Sequence, residues 1–270
     1  MLHSMFSGQG QCFIFMATRA STSDQAPARS GDVGFSRRWS LAREQVVELP
    51  AKPRLRYLLG EAVYFLEPFL RPFRRLDVKP AARPKIVMVM PGFATHPSRM
   101  RYLARQLEKA GHKTKRWGLG FNLGPTENNI DFLEARLEEI YERYGQEVIL
   151  LGWSLGGLFA RELAHRRPEL VAKVITMGSP FSGDPRANNA WRLYQFVTGH
   201  RVDQPPTETD ISTKPPVETV ALWSPRDGIV AARSACGRTE ERDKAIALRC
   251  THMGFSYAPE VVETVLEEIS

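Results

Sequence analysis

The sequence predicts an α/β fold: a mostly parallel central sheet covered by helices on both faces, with a small cap insertion. Three observations carry that expectation. From residue 85 onward, short apolar runs alternate with amphipathic stretches, the pattern of βαβ units with right-handed crossovers. Residues 147–164 (EVILLGWSLGGLFARELA) join an apolar run to a helical one through a glycine-rich turn. Between the strands expected at 172–177 and 219–223 the alternation breaks for about forty residues, a length usually kept for a functional loop or lid.

The N-terminal region reads differently. Residues 1–45 are rich in Ser, Ala, Gln and Gly without a sustained period, and a disordered tail is expected. The apolar run at 12–17 has no Lys or Arg before it, so a signal peptide is not expected. Residues 46–84 form a basic, apolar segment. Within it, 54–76 is aromatic with basic ends, interrupted by Glu61, Glu67, Pro68 and Pro72, too short and too charged to span a bilayer. Two readings stand: a helix packed on the following domain or lining its entrance, which is favoured, and a helix lying at a membrane surface.

From 85 to 270 the elements follow in order. KIVMVM at 85–90 is an apolar strand; 100–110 is a helix stopped by Gly111; 113–117 is a short strand; 130–144 is a helix with Gly145 behind it. The run at 148–151 reads as a strand buried on both faces. The helix after it places Leu155, Leu158, Phe159 and Leu163 on one side. Strands at 172–177, 219–223 and 244–248 and a closing helix at 261–269 complete the domain. The cap, 184–218, holds a helix-like piece at 188–198 and a Pro-rich return. Its aromatics suit the cover of an apolar pocket.

Composition narrows the function classes. A hydrophobic fraction of 43% and a charged fraction of 25% are those of an ordinary globular protein. Residues 52–85 carry nine Lys or Arg against three acids, which is +6 of the net +7. The rest is nearly neutral, which argues against a nucleic-acid partner and confines any attraction to a membrane to one segment. Cys12, Cys236 and Cys250 do not make a disulfide framework. Two buried thiols at Cys236 and Cys250 are favoured over a bridge, and a reducing, cytoplasmic setting with peripheral membrane contact through 54–76 is expected. No His/Cys cluster has metal spacing, so neither a metal nor a cofactor is expected.

The turn Gly152-Trp153-Ser154-Leu155-Gly156 supplies the chemistry. A serine at a sharp strand-to-helix turn takes a strained backbone and projects its hydroxyl from the sheet edge; Gly152 and Gly156 remove side chains that would clash there. A serine nucleophile needs a base, and the base an orienting acid. Such groups sit on loops after the carboxyl ends of strands. The loop after 219–223 offers Asp227, and the loop after 244–248 offers His252. Asp203 and Asp210 fall in the cap, and Asp243 precedes a strand. His112, His165, His200 and His3 lie at a strand start, at a helix end, in the cap and in the tail; His96, near the first loop, keeps a minor substrate role. Oxyanion donors are expected from the backbone N–H of Leu155 and from that of Phe93, with Ala94 next in line.

On these residues the chain resembles a serine esterase or lipase of the α/β-hydrolase superfamily. The resemblance covers roughly 85–270 and rests on Pro91-Gly92-Phe93, the Gly152–Gly157 turn, Asp227 and His252. Gly178-Ser179-Pro180-Phe181-Ser182-Gly183 is similar to a stretch in class 2 and PGAP1-like lipases, which also carry a cap between the same two strands. Trp153 stands where many lipases have His; other esterase branches accept Trp. The resemblance implies hydrolysis of a small apolar carboxylic ester through Ser154, His252, Asp227 and an acyl-enzyme. Trp153, Phe181, Trp191 and Met253 are the expected substrate contacts. An acyltransferase, a thioesterase, or a non-catalytic protein binding an apolar ligand on the same fold are the alternatives. Oligomeric state is not legible.

Overall fold

The computed structural model describes residues 34–46, 50–62, 76–206 and 209–270. Six strands, β1 (Ile86–Met90), β2 (Lys113–Arg116), β3 (Val148–Trp153), β4 (Val171–Met177), β5 (Glu218–Trp223) and β6 (Lys244–Ala247), form one sheet in the order β2-β1-β3-β4-β5-β6. Every neighbouring pair is parallel. The α/β architecture expected from the alternation is the one observed.

The two faces of the sheet explain the continuous apolar runs. Alternate residues of β1 and β3 point to opposite sides. Val87, Val89, Ile149 and Leu151 join one core with Leu103 and Leu107 of α3 (Arg101–Lys109) and Val261, Val262 and Val265 of α8 (Pro259–Ile269). Met88, Met90, Val148 and Leu150 join the other with Leu133 and Leu137 of α4 (Glu127–Tyr144) and Phe159 and Leu163 of α5 (Leu155–Arg166). The edge strands are the exceptions. β2 reads KTKR, and its lysines and arginine discourage pairing with another chain.

α4 begins three residues before the expected boundary. Thr126 and Asn129 form a reciprocal capping box, which carries the helix back to Glu127. The insertion between β4 and β5 holds α6 (Trp191–Thr198), shorter than the 188–198 expected from its aromatics. The five-residue α7 (Ala232–Cys236) lies in a stretch where no helix was expected.

The tail corrects one expectation. Disorder was expected throughout 1–45, yet Phe35–Ala42 is a helix, α1. The reason is tertiary: Phe35 and Trp39 close an aromatic cluster on Phe196 of α6, with ring centroids 5.9 and 6.1 Å away. Residues 1–33 lie outside the described residues. Of the segment 54–76, α2 (Leu55–Gly60) and a turn through Glu61 are described and pack on the loop after β5; residues 63–75 lie outside the described residues. Cys236 and Cys250 are both free. Among the described residues no helix is long and apolar enough to cross a membrane, and no group of three or more His, Cys, Asp or Glu could hold a metal.

Candidate active site

The sheet order changes direction between β1 and β3. Their C-terminal ends lie side by side, Met90 opposite Gly152. In open α/β sheets a crevice opens at that point. The loop after β1 and the turn after β3 form its floor here.

Ser154 sits between β3 and α5 with φ 53° and ψ −121°. It and Ala94, at φ 54°, are the two non-glycine residues with positive φ among the described residues, and both stand at this crevice. The backbone N–H of Ser154 donates to the carbonyl of Met177 at 2.8 Å, fastening the turn to β4. A side chain at Gly152 would strike the backbone of Gly156 and Gly157; one at Gly156 would strike the Met90 carbonyl. The glycines flanking the serine are therefore dictated by sterics, as the turn geometry required. The α5 N-terminus starts at Leu155, whose N–H is one of the donors a first helical turn leaves unpaired.

The loop after β1 is held by Asn122, which is fully buried. Its side-chain NH₂ donates to the Pro91 carbonyl at 2.7 Å, and its backbone carbonyl accepts the Ala94 N–H at 2.7 Å. The Ala94 N–H, next in line to Phe93 as an expected oxyanion donor, is thus committed.

Asp227 and His252 meet. His252 Nδ1 lies 2.7 Å from Asp227 Oδ2, and both side chains are buried. Asp227 Oδ1 accepts the N–H groups of Ile229 and Val230, each at 2.8 Å, which fixes the carboxylate plane. The Ser224 hydroxyl donates to the Cys250 carbonyl at 2.6 Å and joins the loops after β5 and β6. Burial alone would lower the His252 pKa; the charge and hydrogen bond of Asp227 and the charge of Glu61 outweigh it, and the net shift is upward. His252 is tied to the end of β3 through Trp153, the residue before Ser154. The Trp153 indole N–H donates to the His252 carbonyl at 3.1 Å, and the two rings lie 5.8 Å apart.

Above Ser154 and Leu155 lies an apolar cavity of about 110 Å³. Phe93 lines it from the β1 loop, Leu158 from α5, Trp191 and Tyr194 from α6, and Val202 and Ile211 from the rest of the insertion. Of the four expected substrate contacts, Trp191 lines this cavity and three have other surroundings. Trp153, at 1% exposure, is a core residue supporting His252. Phe181 lies beneath the Arg161 guanidinium, 4.3 Å from its ring centroid. Met253 packs on the core and gives its N–H to Glu61. In each case an apolar residue next to a functional motif faces inward, a choice that spacing alone does not fix.

The competing candidates are occupied elsewhere. His112 Nδ1 accepts the Lys85 N–H, Asp203 pairs with Arg186 and Arg201, Asp243 pairs with Lys214, and His96 caps the turn Pro97–Met100. Sequence reasoning did not identify Asn122 or Glu61. Asn122 offered only a Gly-Pro-rich neighbourhood, and Glu61 registered as a charge interrupting an apolar run.

Comparison with known proteins bears on the fold and the family. A pimeloyl-[acyl-carrier protein] methyl ester esterase of Klebsiella pneumoniae subsp. pneumoniae is 43% identical over 47 residues, 17% of this chain and 18% of that protein. One from Aromatoleum aromaticum is 36% identical over 67 residues, 25% of this chain and 24% of the relative. The matches therefore span about a quarter or less of these relatives' length. The crystal structure of Bacillus licheniformis lipase BlEst2 in mature form has a TM-score of 0.53 at 18% identity, covering 73% of this chain and 95% of that one. At that identity the fold is what is shared. The profile of the alpha/beta hydrolase fold matches residues 85–227, just over half of the chain, and the chain belongs to that family.

Proposed function

We propose that the protein is a serine hydrolase that cleaves a small apolar carboxylic ester. The observation that carries this reading is the buried His252–Asp227 pair, bonded to Trp153, whose chain neighbour Ser154 holds the strained strand-to-helix turn. In the proposed reaction Ser154 Oγ adds to the ester carbonyl while its proton passes to His252 Nε2. The N–H groups of Leu155 and Phe93 bind the resulting oxyanion. The intermediate collapses, and the departing alcohol takes the proton from His252. Water then adds to the acyl-enzyme by the same route and releases the acid. Asp227 holds the imidazole tautomer and stabilises the imidazolium.

The apolar cavity above Ser154 suits the acyl part of the ester, and the insertion at 184–218 serves as its cap. The names of the two partly matching relatives point to methyl esters on a carrier-bound acid as one substrate class to test. A fluorophosphonate probe should label the wild type and not Ser154→Ala; equal labelling of both would exclude the mechanism. A series of p-nitrophenyl esters of increasing chain length then reads the cavity. Activity should fall once the acyl chain exceeds the room between Trp191 and Val202.

A further inference from the structure

Asp227 and His252 stand on two different loops, and a single carboxylate from outside the sheet fastens both. Glu61 is buried at 8% exposure in the turn that follows α2. Its Oε1 accepts the N–H of Gly228 at 2.9 Å and the N–H of His252 at 2.8 Å. Its Oε2 accepts the N–H of Met253 at 2.8 Å. His252 precedes a short 3₁₀ turn, Met253–Ser256, so the His252 and Met253 N–H groups are among the donors that such a start leaves unpaired. Both carboxylate oxygens are used, and all three bonds are of the charge-assisted kind. The fit is close on the other loop as well. A side chain at Gly228 would run into the backbone of Tyr57 and Leu58.

The rest of the N-terminal arm, described at 34–46 and 50–62, holds the cap. Glu44 pairs with Arg186 and, at 2.8 Å, with Arg201, and it accepts from the Gln195 side-chain amide at 3.1 Å. The Asn189 side-chain amide donates to both the Gly228 carbonyl at 2.8 Å and the Pro53 carbonyl at 3.4 Å. One arm therefore touches the cap, the acid loop and the base loop.

We propose that Glu61 is a positioning residue of this active site, and that the arm carrying it is a working part of the hydrolase. It sets the backbone from which the His252 imidazole projects and adds a second negative charge beside Asp227. The inference rests on the serine hydrolase reading. A carboxylate that only stabilised the fold would have no reason to bridge the acid loop to the base loop. The charged groups acting on the imidazole are Asp227 and Glu61; Cys250, two residues before it, faces these two and Glu260. On the arm side stand Tyr57, Arg54, Arg56 and Arg226.

The test uses the full chain with Glu61→Gln and Glu61→Ala. The imidazole of His252 is titrated by NMR, a readout that needs no turnover. In Glu61→Gln the midpoint should move to lower pH, because one of the carboxylates favouring the imidazolium is gone. With p-nitrophenyl esters, kcat should fall by about tenfold to a hundredfold, the cost of misplacing a catalytic group by an ångström, while KM stays within about twofold. The acid limb of the kcat/KM profile should move with the NMR midpoint. Glu61→Gln keeps the size of the side chain and carries the test if Glu61→Ala does not fold. Wild-type titration and wild-type labelling rates in both variants would overturn the proposal. A Ser154-dependent wild type with unaffected Glu61 variants removes this proposal alone. A wild type that no fluorophosphonate labels, with a His252 midpoint that still moves in Glu61→Gln, removes the hydrolase reading and leaves the positioning contact.

Discussion

In the proposed reaction His252 acts as a neutral imidazole, and its pKa is raised above the ordinary histidine value by Asp227 and Glu61 against the pull of burial. Activity should therefore rise with pH through a midpoint above about 6.5. The linkage to stability has the opposite sense. A histidine with a raised folded-state pKa contributes stability that is fully present below the unfolded value and lost as pH rises through the folded one. Asp227→Asn removes the principal raising influence; the midpoint should drop and kcat should fall by about 10⁴-fold, measured in a pH-rate series. Cys250, two residues away, behaves differently. Burial and the neighbouring carboxylates push its thiol far up. It should resist iodoacetamide in the native protein and react once urea unfolds it, which peptide mass spectrometry reads directly.

Two elements are held by devices that mutation can isolate. α4 starts at the Thr126–Asn129 capping box. Thr126→Ala should cost about 1 kcal/mol, seen as a lower urea midpoint with an unchanged slope. The Pro-rich return of the β4–β5 insertion is lashed by Arg161, buried at 0% exposure. Its guanidinium donates to the carbonyls of Ile211, Ser212, Thr213 and Glu241 at 2.7–3.2 Å. Burial lowers its pKa to about 10, so it remains charged at neutral pH. Arg161→Met should cost about 3 kcal/mol by urea unfolding and open the Pro-rich return to proteolysis, because four carbonyls lose their donor together. The same elements show what was legible beforehand. β1 and β3 carry continuous apolar runs because both faces are covered, and that pattern is local. Ser154, Asp227 and His252 stood out as candidates because each follows a strand end, and the structure puts Asp227 and His252 in contact. α1 was not legible, since FSRRWSLA acquires its partner only when Phe196 arrives from α6. Trp153 and Phe181 were misassigned because sequence position does not tell which way an aromatic side chain turns.

At the scale of the molecule, the chain is organised from both ends toward one rim. The parallel sheet places its C-terminal loops together, and the insertion covers them. Only the later half of the arm was visible in the sequence, as part of the basic, apolar segment 46–84, and packing was the favoured reading for 54–76; residues up to 45 read as a disordered tail. Its function was hidden, because Glu61 lies 191 positions from His252 and nothing local links them. Replacing Gly228 with Ala should dislodge the arm without touching Glu61, since the added methyl has no room beside Tyr57. Differential hydrogen exchange should then rise in α2 and in the turn after His252 together.

Gly228, His252 and Met253 bond to Glu61 across 167, 191 and 192 positions. Such distant closures come late in folding, because the whole intervening loop must be ordered first. During synthesis the arm leaves the ribosome long before its partners exist. The nascent chain therefore waits with one jaw of the clasp empty, and the rim is finished only once residues 252 and 253 have emerged.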